Sequence, residues 1–317
     1  MKRLALAVPL VLLLAAAASP PTPPRVMVLA FFEERGGTAA FARLKAEASR
    51  ISVLIPESYD FDARTQTAVL RSPPRPAVAA FAYGKGIGVW PAVNAQLAGR
   101  PLFDDPAKRA RAVASIAAVA DRWDGVTVDI EGVALGDRDG FTAFVQALAR
   151  AVHRQGKGIA IYLPRRTATT VTTWAAPYDY PAIAAACDHV LVGSYSESWE
   201  HPGPVVTDAG YQELLDYLAG ISLTRMSPTI GTLSERWPQG ARKPVVGLSD
   251  EVGAFPGRVR VGAAGGEDGF SDRGGDTVWY ETPKALVARV KAAREAGFPT
   301  IGLFILGHEP LSFWSQT

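Results

Sequence analysis

DGVTVDIEGV, residues 124–133, alternates aliphatic and polar side chains with a period of two, the signature of a β-strand. The alternation puts Thr127, Asp129 and Glu131 on one face and Val126, Val128 and Ile130 on the other. A strand rises about 3.3 Å per residue, so the two carboxyls start roughly 6.5 Å apart on the same face and can close further through their side chains. Two negative charges that approach in a cleft cannot both ionise freely, so one of them holds a proton near neutral pH. A general acid needs that proton when it protonates a leaving oxygen. Glu131, longer and nearer the strand end, is the candidate acid, and Asp129 the candidate group that orients it. The same spacing also fits a pair of solvated carboxylates at a strand end, or a small magnesium site.

From Arg25 onward, short aliphatic runs alternate with helical patterns, which implies repeated strand and helix units around a parallel sheet. Eight strands are expected, at 26–32, 51–55, 87–93, 126–131, 158–163, 189–195, 228–233 and 300–306. Helices are expected at 39–50, 141–154, 180–186, 211–219 and 283–296. One more precedes the motif, capped by Asp105, with Pro106 in its first turn and Val113, Ile116, Ala117, Ala120 and Trp123 on one face. Eight strands favour a closed α/β barrel, (β/α)8 or TIM-type, over an open sheet. Ligands then meet the C-terminal strand ends, where Glu131 would lie. Residues 234–276 are rich in Gly and Pro with little periodicity, so they read as an insertion between the seventh strand and its helix, either a small flap or a loose segment.

The chain has 317 residues, 48% of them hydrophobic and 20% charged, a globular composition. Lys2 and Arg3 precede an apolar run, residues 4–18, and then Pro20, Pro21, Pro23 and Pro24. This is the layout of a secretory signal over residues 1–18 and a stiff linker over 19–25, which implies a secreted or cell-envelope protein with no integral membrane association once the signal is removed. Removing Lys2 and Arg3 takes the formal charge from +2 to 0, and no basic cluster interleaved with aromatics appears, so nucleic acid is not an expected partner. The single cysteine, Cys187, sits in an Ala-rich helical stretch and reads as packing.

The barrel rhythm together with DGVTVDIEGV resembles glycoside hydrolase family 18, the chitinase-type barrels, whose fourth strand carries DG(x)(D/N)(x)D(x)E. The resemblance is nearest to the branch of spore-cortex and peptidoglycan N-acetylglucosaminidases. It runs through ISVLIPESYDF (51–61), GVWPAVNA (88–95), YDYPAIAAACDHVLVGSYSESW (178–199) and VWYETPKALVARVKAAREAGFPTIGLFILG (278–307). It implies hydrolysis of β-linked N-acetylglucosamine by a monomer with no cofactor and no metal, in peptidoglycan or a chitin-like glycan. The substrate's own 2-acetamido oxygen would be the nucleophile, so one protein acid suffices. The resemblance makes Glu131 that acid, Asp129 the group that orients the acetamide, and Tyr195 the hydroxyl that holds its carbonyl oxygen. An ionised Asp129 would stabilise the positive charge of the oxazolinium intermediate. Trp199, Trp90 and Trp279 are candidate sugar platforms, and Asn94 and Thr127 candidate polar contacts. Glu281 matches an acidic position of the branch and also reads as a helix N-terminal carboxylate.

The chain departs from the family pattern at three positions. Thr127 replaces Asp or Asn, and its hydroxyl is expected to bond Asp129. Ser196 replaces an Asp after the tyrosine, a loss that Glu197 could make good if the loop is shifted by one residue. Phe304 replaces the tryptophan that floors the sugar site, keeping an aromatic face but losing the indole donor. These departures keep a second function open, a catalytically inactive, lectin-like glycan binder on the same barrel. A metal-dependent barrel using Asp129 and Glu131 as ligands is a third.

Overall fold

The computed structural model describes residues 25–33, 37–254, 259–264, 266–271 and 273–317. The expected signal and all but the last residue of the expected linker lie outside them. In chain order the strands are β1 (Met27–Phe32), β2 (Ile51–Asp62), β3 (Thr67–Leu70), β4 (Gly88–Val89), β5 (Ala92–Gln96), β6 (Gly125–Glu131), β7 (Gly158–Leu163), β8 (His189–Gly193), β9 (Met226–Gly231), β10 (Leu233–Trp237), β11 (Val245–Leu248), β12 (Val259–Ala264), β13 (Glu267–Ser271), β14 (Thr277–Tyr280) and β15 (Thr300–Phe304). The helices are α1 (Gly37–Ala46), α2 (Pro76–Gly84), α3 (Pro106–Ala120), α4 (Arg138–Arg154), α5 (Tyr180–Ala186), α6 (Asp208–Ile221) and α7 (Pro283–Glu295).

β1, β2, β4 with β5, β6, β7, β8, β9 and β15 pair in parallel, and β15 returns to β1, closing an eight-stranded barrel. Helices α1 to α7 fill the crossovers, and a 3-10 turn at Leu311–Gln316 follows the last strand. Alternation sorts the core into two layers. Val28, Ala30 and Phe32 of β1 and Val126, Val128 and Ile130 of β6 pack outward in the strand–helix layer. Leu29, Phe31, Val53, Ile55, Ala160, Tyr162 and Leu191 fill the barrel interior. Asp105 caps α3 by accepting from Ala107 N at 2.8 Å and Lys108 N at 3.1 Å, with Pro106 in the first turn.

Two elements differ from the sequence expectation on the second βα unit. β2 runs on past Ile55 to Asp62 and folds back as a hairpin with β3, and α2 was not anticipated at all. Its sequence, PAVAAFAYG, is apolar on nearly every side, so it carries no amphipathic period to read.

The insertion lies between the seventh barrel strand and its helix as expected, and its described residues form an antiparallel sheet, β11-β10-β14-β13-β12. Its strands are short and glycine-interrupted, which hid the period of two. Glu267 fastens the sheet to the barrel, its carboxylate accepting from Val205 N at 2.7 Å and Val206 N at 2.9 Å. Among the described residues no helix is long and apolar enough to cross a membrane.

Candidate active site

Asp129 and Glu131 lie on the inward face of β6 at its C-terminal end, as the alternation predicts. Register places Asn94 of β5 opposite Asp129 and Gln96 opposite Glu131. Asn94, Gln96 and Asp129 line a cleft of about 370 Å3 with Asp60 and Arg71 of the β2–β3 hairpin. Arg71 Nη1 is 3.5 Å from Asp60 Oδ1 and its Nη2 donates to the Glu57 carbonyl at 3.2 Å, so the hairpin holds a cation at the rim of an otherwise acidic cleft.

The two carboxyls have different surroundings. Protein encloses Asp129, and its Oδ1 has no hydrogen-bond partner among the described residues. Burial first, then the neighbouring charges of Glu131 and Glu57, push its pKa well above the usual carboxylate range. Burial raises Glu131 too, but Gln96 Nε2 donates to its Oε2 and Trp174 Nε1 donates to its Oε1 at 3.5 Å, and both donors favour the charged form. Both carboxyls are thus shifted toward the protonated form, Asp129 by burial with no compensating donor and Glu131 against the opposing effect of its two donors.

Tyr195 follows β8 and stands beside Tyr162 of β7, the rings stacked at 6.5 Å and 15°. Their hydroxyls meet over Gly193, where a Cβ would lie 2.4 Å from the Tyr162 oxygen, so only glycine fits there. Burial raises the Tyr195 pKa above its ordinary value, and the charges of Glu131 and Asp129 add to the rise. The hydroxyl therefore stays protonated and able to donate. Phe304 at the end of β15 lies 6.4 Å from Tyr195 and 5.4 Å from Phe31, closing the aromatic floor on that side.

Three expected contact residues are placed elsewhere. Trp90 sits between β4 and β5 at the opposite, N-terminal end of the barrel. Its ring lies over the first residues of β6 and β7, where a Cβ would approach to 2.8 Å at Gly125 and 2.1 Å at Gly158, and 5.9 Å from the ring of His189. Trp90 is the plug of the barrel bottom. Thr127 is 0% exposed, and its hydroxyl donates to the Trp90 carbonyl at 3.1 Å instead of to Asp129, so it cannot touch a ligand. Trp279 is 9% exposed and packs on Gly262 and Gly269 within the insertion sheet, which leaves it little free face. Trp199 is half-buried in the loop after β8, on the cleft side of the barrel.

Glu197 does not replace the carboxylate absent at Ser196. Its Oε2 accepts from Thr207 N at 2.7 Å and its Oε1 from Thr207 Oγ1 at 3.0 Å, tying it to the start of α6. The carboxyl beside Ser196 belongs instead to Glu235 of β10, fully buried and pushed up to about 8 by desolvation. Glu281 is likewise no helix cap: Thr282 caps α7 through Ala285 N, while Glu281 is buried near Glu267 and Arg289. Cys187 is buried, its thiol pushed up to about 12, which fits packing.

Sequence reasoning missed Glu57, Gln96, Tyr162 and Trp174. Gln96 was legible, since it follows Asn94 by two residues and so shares its face. Trp174 was not, because its loop carries no period.

The shape of this barrel is also that of known proteins. A chitinase from Chromobacterium violaceum superposes with a TM-score of 0.75 over 92% of this chain and 97% of its own, at 24% identity. The fold is that of the chitinase-type barrels. The spore cortex-lytic enzyme SleL of Bacillus megaterium shares this chitinase-type barrel with a TM-score of 0.73, at 14% identity over 93% of this chain and 74% of its own. In sequence, an uncharacterised glycosylase of Bacillus subtilis, YvbX, is 22% identical over 208 residues, 60% of this chain. The match spans 59% of that relative's length. No protein-family model matches the chain.

Proposed function

We propose that the chain is a glycosidase that hydrolyses β-linked N-acetylglucosamine in peptidoglycan or a chitin-like glycan, with retention, using the substrate's acetamide as nucleophile. The observation that carries this reading is the enclosed Asp129 Oδ1, which has no donor among the described residues and lies in a cleft beside Glu131. A buried acceptor without a partner costs about 1–3 kcal/mol, and an amide N–H on the ligand would relieve it. The names of the similar proteins, a chitinase and a cortex-lytic enzyme, point the same way.

The chemistry follows from the two environments. In this reading the proton that the pair shares starts on Asp129, whose charge burial disfavours with no donor to offset it. An acetamide N–H offered to Asp129 favours its ionised form, and the proton passes to Glu131. Glu131 then gives it to the leaving oxygen as the acetamide oxygen attacks the anomeric carbon. The positive charge of the oxazolinium faces an Asp129 carboxylate, and the Tyr195 hydroxyl donates to the acetamide oxygen. Water, deprotonated by Glu131, opens the intermediate and restores the starting proton count.

The engagement of Glu197 at α6 and the loss of a polar contact at Thr127 favour the second reading, a glycan binder without turnover. Digestion of peptidoglycan and chito-oligosaccharides with wild-type and Glu131→Gln protein, with released reducing ends identified by mass, decides between them. The glycosidase reading expects products only from the wild type, with glycan binding kept in both. Intact glycans across a broad pH range would sink it. The reading includes export to the cell envelope, supported by the leader-like residues 1–18, and action as a monomer.

A further inference from the structure

The β2–β3 hairpin forms one wall of the cleft, and no step of the hydrolysis uses it. Asp60 and Arg71 of that wall stand beside Asn94, Gln96 and Asp129, and among the described residues lining the cleft Arg71 is the one with a positive charge. Strand register sets its distance from the chemistry. Asp60 of β2 pairs with Asn94 of β5, and Asn94 with Asp129 of β6, so the wall stands two strand spacings, about 10 Å, from Asp129. A group held there meets the sugar beside the one whose acetamide faces Asp129.

The Arg71 guanidinium is held in place but not used up. The backbone N–H of Arg71 donates to the Ser58 carbonyl at 2.8 Å, which fixes the residue at the end of β3. A guanidinium has five N–H donors, and here Nη2 donates to the Glu57 carbonyl at 3.2 Å. The carboxyls of Asp60 and Glu57 stand 3.5 and 3.9 Å away, both longer than an N–H···O bond. The Arg71 side chain is 39% exposed and that of Asp60 52%, so Asp60 can turn to water when another carboxylate takes its place. Burial raises the pKa of Glu57 against the pull of Arg71, and that of Asp129 as well, so two acids of the cleft offset less of the Arg71 charge. A planar fork with free N–H groups is the side chain that fits a carboxylate in two bonds. Chitin carries no carboxylate, whereas in a muramyl glycan every second sugar bears a lactyl carboxyl.

We propose that Arg71 is a specificity-determining residue: it binds a carboxylate carried by the sugar next to the cleaved one, displacing Asp60, and so selects muramyl glycans over chitin-like ones. This deepens the glycosidase reading and rests on it for the reaction, whereas the carboxylate contact is measurable with or without turnover.

The test measures Kd and kcat/KM on glycans of equal length: alternating N-acetylglucosamine and N-acetylmuramic acid without peptide stems, the same chain with its lactyl groups as methyl esters, the stem-bearing chain, whose lactyl carboxyl is an amide, and a chito-oligosaccharide. Wild-type protein should prefer the free acid to its ester by about tenfold, the size of a hydrogen-bonded charge contact. That preference should shrink as salt is added. Arg71→Gln should abolish it, and Asp60→Asn should enlarge it by removing the competing carboxyl. Equal Kd for acid and ester in the wild type, a preference confined to the stem-bearing chain, or a preference that survives Arg71→Gln overturns the proposal. Matching thermal midpoints confirm that the variants are folded; should Arg71→Gln not fold, the ester comparison and Asp60→Asn decide. A wild type that binds these glycans and cleaves none overturns the glycosidase reading alone, and its Kd values still decide the role of Arg71.

Discussion

Two groups of acidic side chains sit on this protein, Asp129 with Glu131 on β6 and Glu235 with Glu267 and Glu281 on the insertion sheet, and both are largely withdrawn from water. The second group is the more deeply buried, with all three residues at 0–2% exposure. Its carboxyls are raised in the same way, Glu235 to about 8 and Glu267 to about 7. What separates the groups is access and balance. The insertion carboxyls are sealed beneath a sheet, with Arg289 3.8 Å from Glu267 and backbone N–H groups of the loop before α6. The β6 pair opens on a cleft and, among the described residues, has no cation in hydrogen-bond contact; Gln96 and Trp174 donate to Glu131, and the enclosed Asp129 Oδ1 has no donor. A shifted carboxyl marks burial, and unpartnered carboxylate oxygens occur in both groups; the open face marks the candidate site.

The comparison can be broken most sharply by neutralising one member of each group. Asp129→Asn should lower kcat on chito-oligosaccharides by about 10^3-fold, because it removes the charge facing the oxazolinium, whereas Glu281→Gln should stay within about twofold. Equal losses in a reducing-end assay would erase the distinction. Next in size is the barrel bottom. Trp90→Ala should cost about 3 kcal/mol in urea unfolding by emptying the plug, with KM unchanged at temperatures where the protein stays folded. A rise in KM without loss of stability would return Trp90 to the glycan.

A smaller effect is expected at Thr127. Thr127→Val should cost about 1 kcal/mol for the hydrogen bond to the Trp90 carbonyl and leave the pH–rate profile in place. The last concerns pH. A carboxyl whose folded pKa exceeds its unfolded value of 4.5 binds more protons when folded, so its contribution to stability is complete below 4.5 and declines as pH rises toward about 8. Glu235→Gln should therefore flatten the fall in thermal midpoint between those values. An unchanged slope would show that Glu235 is charged in the folded protein.

The barrel was legible because its strands, buried on both faces, read as short aliphatic runs, while its helices, buried mostly on one, keep a helical period. Gly158–Leu163 and Tyr180–Ala186 match expectation to the residue. α2 escaped because it is apolar all round, and the insertion strands because glycines interrupt them. Within the site, Asp129, Glu131, Asn94 and Tyr195 converge because each stands at or near a strand end whose direction the alternation fixes. Trp90 and Thr127 were misplaced for a related reason. Period two says which side chains point into a barrel but not at which height a residue between two short strands will lie.

The sequence by itself determined the barrel, the inward carboxyl pair and the outward aliphatic layer, since these follow from local period and the need to bury apolar faces. Only the tertiary structure decided the different surroundings of the two carboxyls, that Trp174 and Gln96 hold Glu131, and that Glu197 is drawn to α6 while Glu235 comes to Ser196. Gln96 and Trp174 are 35 and 43 residues from Glu131 in the chain, and Glu197 reaches α6 from a loop without a period. Electrostatic environment is set by what surrounds a side chain in space, and no local pattern records it.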